Sequence, residues 1–204
     1  MKSTPRQTLY PKARVDALTD GIFAVAMTLL VLDIRIPEGY QPADAAQMLE
    51  ALAELLPRFL PYAVSFLILG MRWLSFVEVH NRAEHVSSAY IRSWMIYLLL
   101  ITCVPFTTMV VGRYASFAPA VWLYCANTIL IALASWRMFK LTPEMDSHLL
   151  HARVVSMVTL LASCLLCIAW SLVEPRQALW AFLLNFLVPS VGRFISSRNP
   201  VDPH

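Results

Sequence analysis

Charge is scarce in this sequence: Asp, Glu, Lys and Arg make up 14% of its 204 residues, where a soluble domain carries about a quarter. Glycine is scarcer still, with five residues in the whole chain, which leaves no Gly-rich loop to cradle a phosphate. No serine or cysteine has a base in a sequence context that would activate it, so an enzyme is not expected. Cysteine occurs four times, at Cys103, Cys125, Cys164 and Cys167, always inside apolar runs. Cys164 and Cys167 form a Cys-x-x-Cys pair, but a metal site needs further ligands at the same depth, and these read as small packing residues. The first sixteen residues, MKSTPRQTLYPKARVD, are polar and basic with no apolar run ending in a cleavage site, so no removable leader is expected.

Apolar residues fill the space that charge leaves. They make up 58% of the chain, its mean hydropathy is +0.60, and together these indicate an all-α integral membrane protein, read as a single domain over residues 1–204. Six spans are predicted: Val15 to Ile36, Pro57 to His80, Tyr90 to Val111, Phe117 to Phe139, Ala152 to Val173 and Ala178 to Ile195. Pro37 and Gly39 end the first. Pro105 frees a carbonyl inside the third and predicts a bend there. Residues 42–56 alternate at helical spacing between Ala46, Leu49, Leu52, Ala53 and Leu56 and the charged Asp44, Glu50 and Glu54, predicting an amphipathic segment at the membrane surface. Residues 1–13 and 197–204 read as tails.

Basic residues set the orientation. With the N-terminus inside, only Arg35, Arg58, Arg113 and Arg176 of the sixteen Lys and Arg fall outside. Both termini are therefore expected in the cytoplasm. The net charge of +3 reflects this topology, and no nucleic-acid partner is expected. His148 and His151, and the group Glu78, His80, Glu84 and His85, read as solvated loop residues more readily than as metal or proton sites.

The stretch from Arg14 to Pro37, RVDALTDGIFAVAMTLLVLDIRIP, differs from the other spans. It is long enough to cross a bilayer yet begins with Arg14, Asp16, Thr19 and Asp20, and an ionisable group in such a segment must face protein or water. Val25, Thr28, Leu29 and Leu32 stand at i, i+3, i+4 and i+7, with Ile22 and Ile36 extending the stripe. Such a stripe can face lipid or core. Alternatively, copies of the helix surround an axis, where Val25, Leu29 and Leu32 form apolar constrictions and Thr28 hydroxyls replace part of an ion's hydration shell. Ala17 with Gly21, and Ala24 with Thr28, space small residues for close helix packing. Asp20 reads as a group that fixes the helix rather than one that touches an ion.

These residues resemble a known family. Arg14-x-x-x-Leu18-Thr19-Asp20, followed by Gly21-Ile22-Phe23-Ala24 and MTLLVLDIRIP, resembles the signature of the bacterial relatives of transmembrane protein 175, a lysosomal potassium channel. The usual Arg-x-x-x-Phe-Ser-Asp has Leu18 and Thr19 here. Trp73 occupies the aromatic position of the second span, and Pro105-Phe106-Thr107-Thr108 resembles the Pro-Phe motif of the third. Ser75, Phe76 and Val77 stand where histidines usually follow the tryptophan, and Trp94 where an asparagine is usual, so the polar network bracing the signature is expected to be altered. The resemblance implies a homotetramer of six-helix subunits in the lipid bilayer, with the first helix of each lining a central pore at Val25, Thr28, Leu29 and Leu32. It implies a channel for monovalent cations, potassium above all, with no cofactor and without the Thr-Val-Gly-Tyr-Gly filter of ordinary potassium channels, which this sequence lacks. A proton-coupled transporter using Asp20 and Asp33, or a membrane scaffold without transport, remain the alternatives.

Overall fold

A computed structural model describes residues 10–80, 85–141 and 147–183. The chain is a multi-pass membrane protein. A two-residue strand β1 (Tyr10–Pro11) leads into helix α1 (Lys12–Leu29), which tightens into a 3-10 turn, Leu30–Asp33. There follow α2 (Ala45–Ala53), α3 (Leu56–His80), strand β2 (His85–Val86), α4 (Ser88–Thr102), α5 (Val104–Arg113), α6 (Ala118–Lys140), α7 (Ser147–Ser171) and a 3-10 segment, Pro175–Leu183. Among the described residues five spans are long and apolar enough to cross a membrane: Lys12–Asp33, Leu56–Val77, Ser88–Arg113, Ala118–Lys140 and Val154–Ser171. Of the sixth predicted span, Ala178 to Leu183 is 3-10 helix, and Leu184 to Ile195 lies outside the described residues.

The ends of α1 depart from the sequence expectation. Lys12 and Ala13, expected in the tail, are its first residues. Lys12 is buried and pairs with Asp16 at 3.2 Å, an i,i+4 ion pair that lets the helix begin within the polar stretch. Tyr10 and Pro11 pair antiparallel with Val86 and His85, tying the start of α1 to the connection between α3 and α4. At the other end Ile36 is not on the helix. The turn closes at Asp33, Ile34 leaves the helical region, and Pro37 disfavours helical geometry in the residue before it.

Pro105 breaks the third span into two pieces, α4 and α5, that meet at Cys103. Proline offers no N–H and crowds the carbonyl four residues back, so regular winding stops. The Asn127 side chain on α6 donates to the Leu100 carbonyl at 3.3 Å beside the break, satisfying backbone polarity that lipid cannot.

Two apolar clusters hold the subunit. One joins α1, through Val15, Phe23, Ala26 and Leu30, to Leu69 of α3 and to Trp94, Tyr97 and Ile101 of α4. The other gathers Val121 and Cys125 of α6, Cys164 and Cys167 of α7, and Ala178 and Phe182 of the 3-10 segment. The cysteines there are free thiols buried among apolar groups. Between the clusters Ser65 hydroxyl oxygen lies 3.0 Å from that of Tyr124 and 2.8 Å from that of Thr108, so the polar atoms buried between α3, α5 and α6 partner one another.

Phe23 is fully buried, with its ring 6.2 Å from that of Tyr97. Replacing it with alanine should destabilise the subunit by about 3–5 kcal/mol. A clear fall in the unfolding midpoint in detergent is expected for Phe23→Ala, and an unchanged midpoint would show that α1 does not depend on this contact.

Candidate functional site

The helical period divides α1 into two faces. Val15, Thr19, Phe23, Ala26 and Leu30 are buried against the rest of the subunit. Arg14, Ala17, Leu18, Gly21, Ala24, Val25, Thr28, Leu29 and Leu32 are exposed along the other face. Exposed apolar residues are expected in a lipid-facing helix, but this face also carries Arg14, Asp20 and Thr28, for which lipid is a poor solvent.

The buried face holds a polar anchor near the N-terminal end. The Thr19 hydroxyl accepts the Trp94 indole N–H at 2.8 Å and donates to the Val15 carbonyl at 2.8 Å. Every proton in that chain has an acceptor, so a threonine with no exposure costs nothing in unmade bonds. One residue on, Asp20 Oδ1 accepts the Trp73 indole N–H at 2.8 Å. Two indoles, one from α3 and one from α4, thus hold two successive side chains of α1 and fix its depth and rotation.

From the sequence, Trp94 in place of asparagine is expected to alter the bracing of the signature. Trp94 supplies the N–H donor itself, from a ring that also fills the core. Asp20, expected to fix the helix, and Trp73, at the aromatic position of the second span, are joined by the second of these bonds. Arg14, by contrast, is exposed on the outer face.

The four stripe residues stand together on the exposed face. Val25, Leu29 and Leu32 are 57%, 44% and 64% exposed. The Thr28 hydroxyl donates to the Val25 carbonyl at 2.9 Å, and this fixes what it can offer outward. With its single proton spent on its own helix, Thr28 presents oxygen lone pairs, which attract a cation and repel an anion. Gly21 lies on the same face, and a Cβ added there meets no atom within 4 Å. Nothing inside the subunit therefore requires a glycine at that position.

The C-terminal end of the first span holds a second anchor, which the sequence reading did not find. Arg113, the last residue of α5, donates from Nε to Asp33 Oδ1 at 2.7 Å, and its Nη2 contacts the same oxygen. The available signal was one carboxylate at the C-terminal end of the first span and one of the few arginines expected outside at the C-terminal end of the third. Among the described residues no group of His, Cys, Asp and Glu is placed to hold a metal ion. Glu84, and the side chains of Glu78, His80, His85, His148 and His151, lie outside the described residues.

The sequence model of the family described as the endosomal/lysosomal potassium channel TMEM175 matches residues 14–105. A potassium channel of Streptomyces collinus is 34% identical over 101 residues, 50% of this chain and 48% of its own length. A potassium channel of Chamaesiphon minutus is 27% identical over 143 residues, 69% of each chain. The human endosomal/lysosomal proton channel TMEM175 is 36% identical over 83 residues, 38% of this chain and 16% of that protein. The chain thus spans about half the length of the Streptomyces relative. Among solved structures, a variant of the potassium channel MtTMEM175 bound to a nanobody fusion superposes with a TM-score of 0.53 at 16% identity, over 98% of this chain and 100% of that one. That likeness concerns the fold.

The anchor predicts a graded response at Thr19. Thr19→Val leaves a buried indole N–H without an acceptor and should destabilise the subunit by about 1–3 kcal/mol. Thr19→Ser keeps the hydroxyl and should unfold close to the unsubstituted protein. Equal unfolding midpoints in detergent for the two variants would contradict the Trp94–Thr19 bond.

Proposed function

We propose that the chain, which matches the TMEM175 family model over residues 14–105, is a potassium-permeable channel whose pore is enclosed by α1 from each subunit of a homotetramer. The observation that carries this reading is the exposed face of α1. Val25, Leu29 and Leu32 repeat there at helical spacing with Thr28 among them, and Gly21 leaves room for another helix to approach.

The reading gives each residue type a task. Apolar rings narrow enough to exclude water oppose conduction until they widen. Thr28 oxygens, aimed outward by the bond to Val25, compensate part of a cation's lost hydration. A monovalent cation loses less on dehydration than a divalent one, so a pore with few polar groups favures the former. An α-helix is about 10 Å across with its side chains, and two copies cannot enclose a path, which favours the tetramer. Each subunit has six spans, and both termini face the cytoplasm of a bacterial inner membrane.

This reading makes the protein a channel and not an enzyme, with potassium as the permeant ion and no cofactor. Proton-coupled transport through Asp20 and Asp33 is less well supported, because both carboxylates already hold partners, Trp73 and Arg113. Each transport cycle would have to break those bonds.

Protein reconstituted into liposomes should release potassium down its gradient. Leu29→Ala shortens one ring, and lowering the barrier by about 1.4 kcal/mol would raise flux about tenfold. Absence of flux from well-folded tetramers would overturn the channel reading. Saturable, proton-coupled uptake lost in Asp20→Asn would favour the transporter.

A further inference from the structure

The two anchors of α1 attach it to different helices. The N-terminal one, Trp94 to Thr19, belongs to α4. The C-terminal one, Arg113 to Asp33, belongs to α5, and the break at Cys103 separates the two. A displacement of α5 relative to α4 must therefore be taken up within α1, between Thr19 and Asp33.

The C-terminal turn is built to take it up. From Leu30 to Asp33 the winding is 3-10, which advances about 120° per residue against about 100° in an α-helix. Over the two steps from Leu30 to Leu32 the difference is about 40°. In the 3-10 winding Leu32 stands nearly in line with Leu29 along the helix, and in α winding it is turned aside.

The turn that Asp33 ends packs against both α3 and α5. A Cβ at Gly112 would lie 3.9 Å from Asp33 Oδ2. The Asp33 side chain is 16% exposed and that of Arg113 34%. A partly exposed ion pair adds little stability. Its effect here is geometric, since two guanidinium nitrogens converge on one oxygen at the end of a short turn.

We propose that Asp33 and Arg113 are positioning residues for permeation: their ion pair holds the last turn of α1 in its 3-10 winding and so keeps Leu32 in line with Leu29. The consequence for ion flow rests on the channel reading, whereas the consequence for Leu32 does not. Loss of either charge frees the turn, and Leu32 leaves the line.

The test separates the two. A cysteine is introduced by Leu32→Cys in a Cys103→Ser background, and its reaction rate with a membrane-impermeant cationic thiol reagent is measured in liposomes. Asp33→Asn and Arg113→Gln are each expected to change that rate severalfold, and potassium flux in the same order. The charge exchange, Asp33→Arg with Arg113→Asp, is expected to bring both back toward their starting values. Single variants that react at the unsubstituted rate would overturn the proposal. So would an exchange that restores nothing while the unfolding midpoint shows an intact fold. If the accessibility pattern holds and the unsubstituted protein passes no potassium, the clamp stands and the channel reading falls.

Discussion

The packing of this subunit depends on how one helix satisfies its polar side chains where water is absent. A hydroxyl buried in hydrocarbon must find its partners inside the protein, and Thr19 finds both, giving its proton to Val15 and accepting that of Trp94. That chain sets the rotation of α1, because Trp94 reaches Thr19 only when Val15, Phe23, Ala26 and Leu30 face the core. Once the rotation is set, Val25, Thr28, Leu29 and Leu32 can only face outward. The exposed stripe thus follows from a bond on the opposite side of the helix.

The second indole reinforces the same choice. Trp73 holds Asp20 from α3 while Trp94 holds Thr19 from α4, so the N-terminal end of α1 is fixed to two neighbours. Residues 19 and 20 are about 100° apart on the helix, and donors that differ in direction prevent rotation as well as sliding. A single bond would leave α1 free to pivot. In the channel proposed above, the register of every constriction would depend on this pair.

Much of this organisation is legible in the sequence because hydropathy and helical period are strong signals in a membrane chain. Five of the predicted spans correspond to helices of sufficient length, and Pro105 marks the break in the third. The stripe of Val25, Thr28, Leu29 and Leu32 is readable from spacing, and its exposure is in the structure. What escaped depends on contacts between residues distant in sequence. Trp94 reads as the loss of an asparagine until its indole is seen 2.8 Å from Thr19, since periodicity does not reveal which way a ring points. The Asp33–Arg113 pair joins positions 80 residues apart, and only the shared depth of two span ends suggests it. The start of α1 was missed for a different reason: Lys12 and Asp16 mark a polar tail by composition but form an ion pair on a helix by geometry.

Between its anchors α1 is held by dispersion alone. Phe23, Ala26 and Leu30 carry no side-chain hydrogen bond, and the Phe23 ring meets Tyr97 at a tilted 6.2 Å. Apolar contacts of this kind are non-directional and change gradually as helices slide, whereas a hydrogen bond at 2.8 Å is made or broken within a fraction of an ångström. The N-terminal end is therefore fixed, the middle can adjust, and the C-terminal turn has a winding that one ion pair holds. Thr28, whose proton stays on its own helix, keeps its lone pairs outward through such an adjustment because its partner, Val25, moves with it. An outward oxygen that does not depend on a neighbouring helix is what a moving segment requires if it is to face a cation in more than one position.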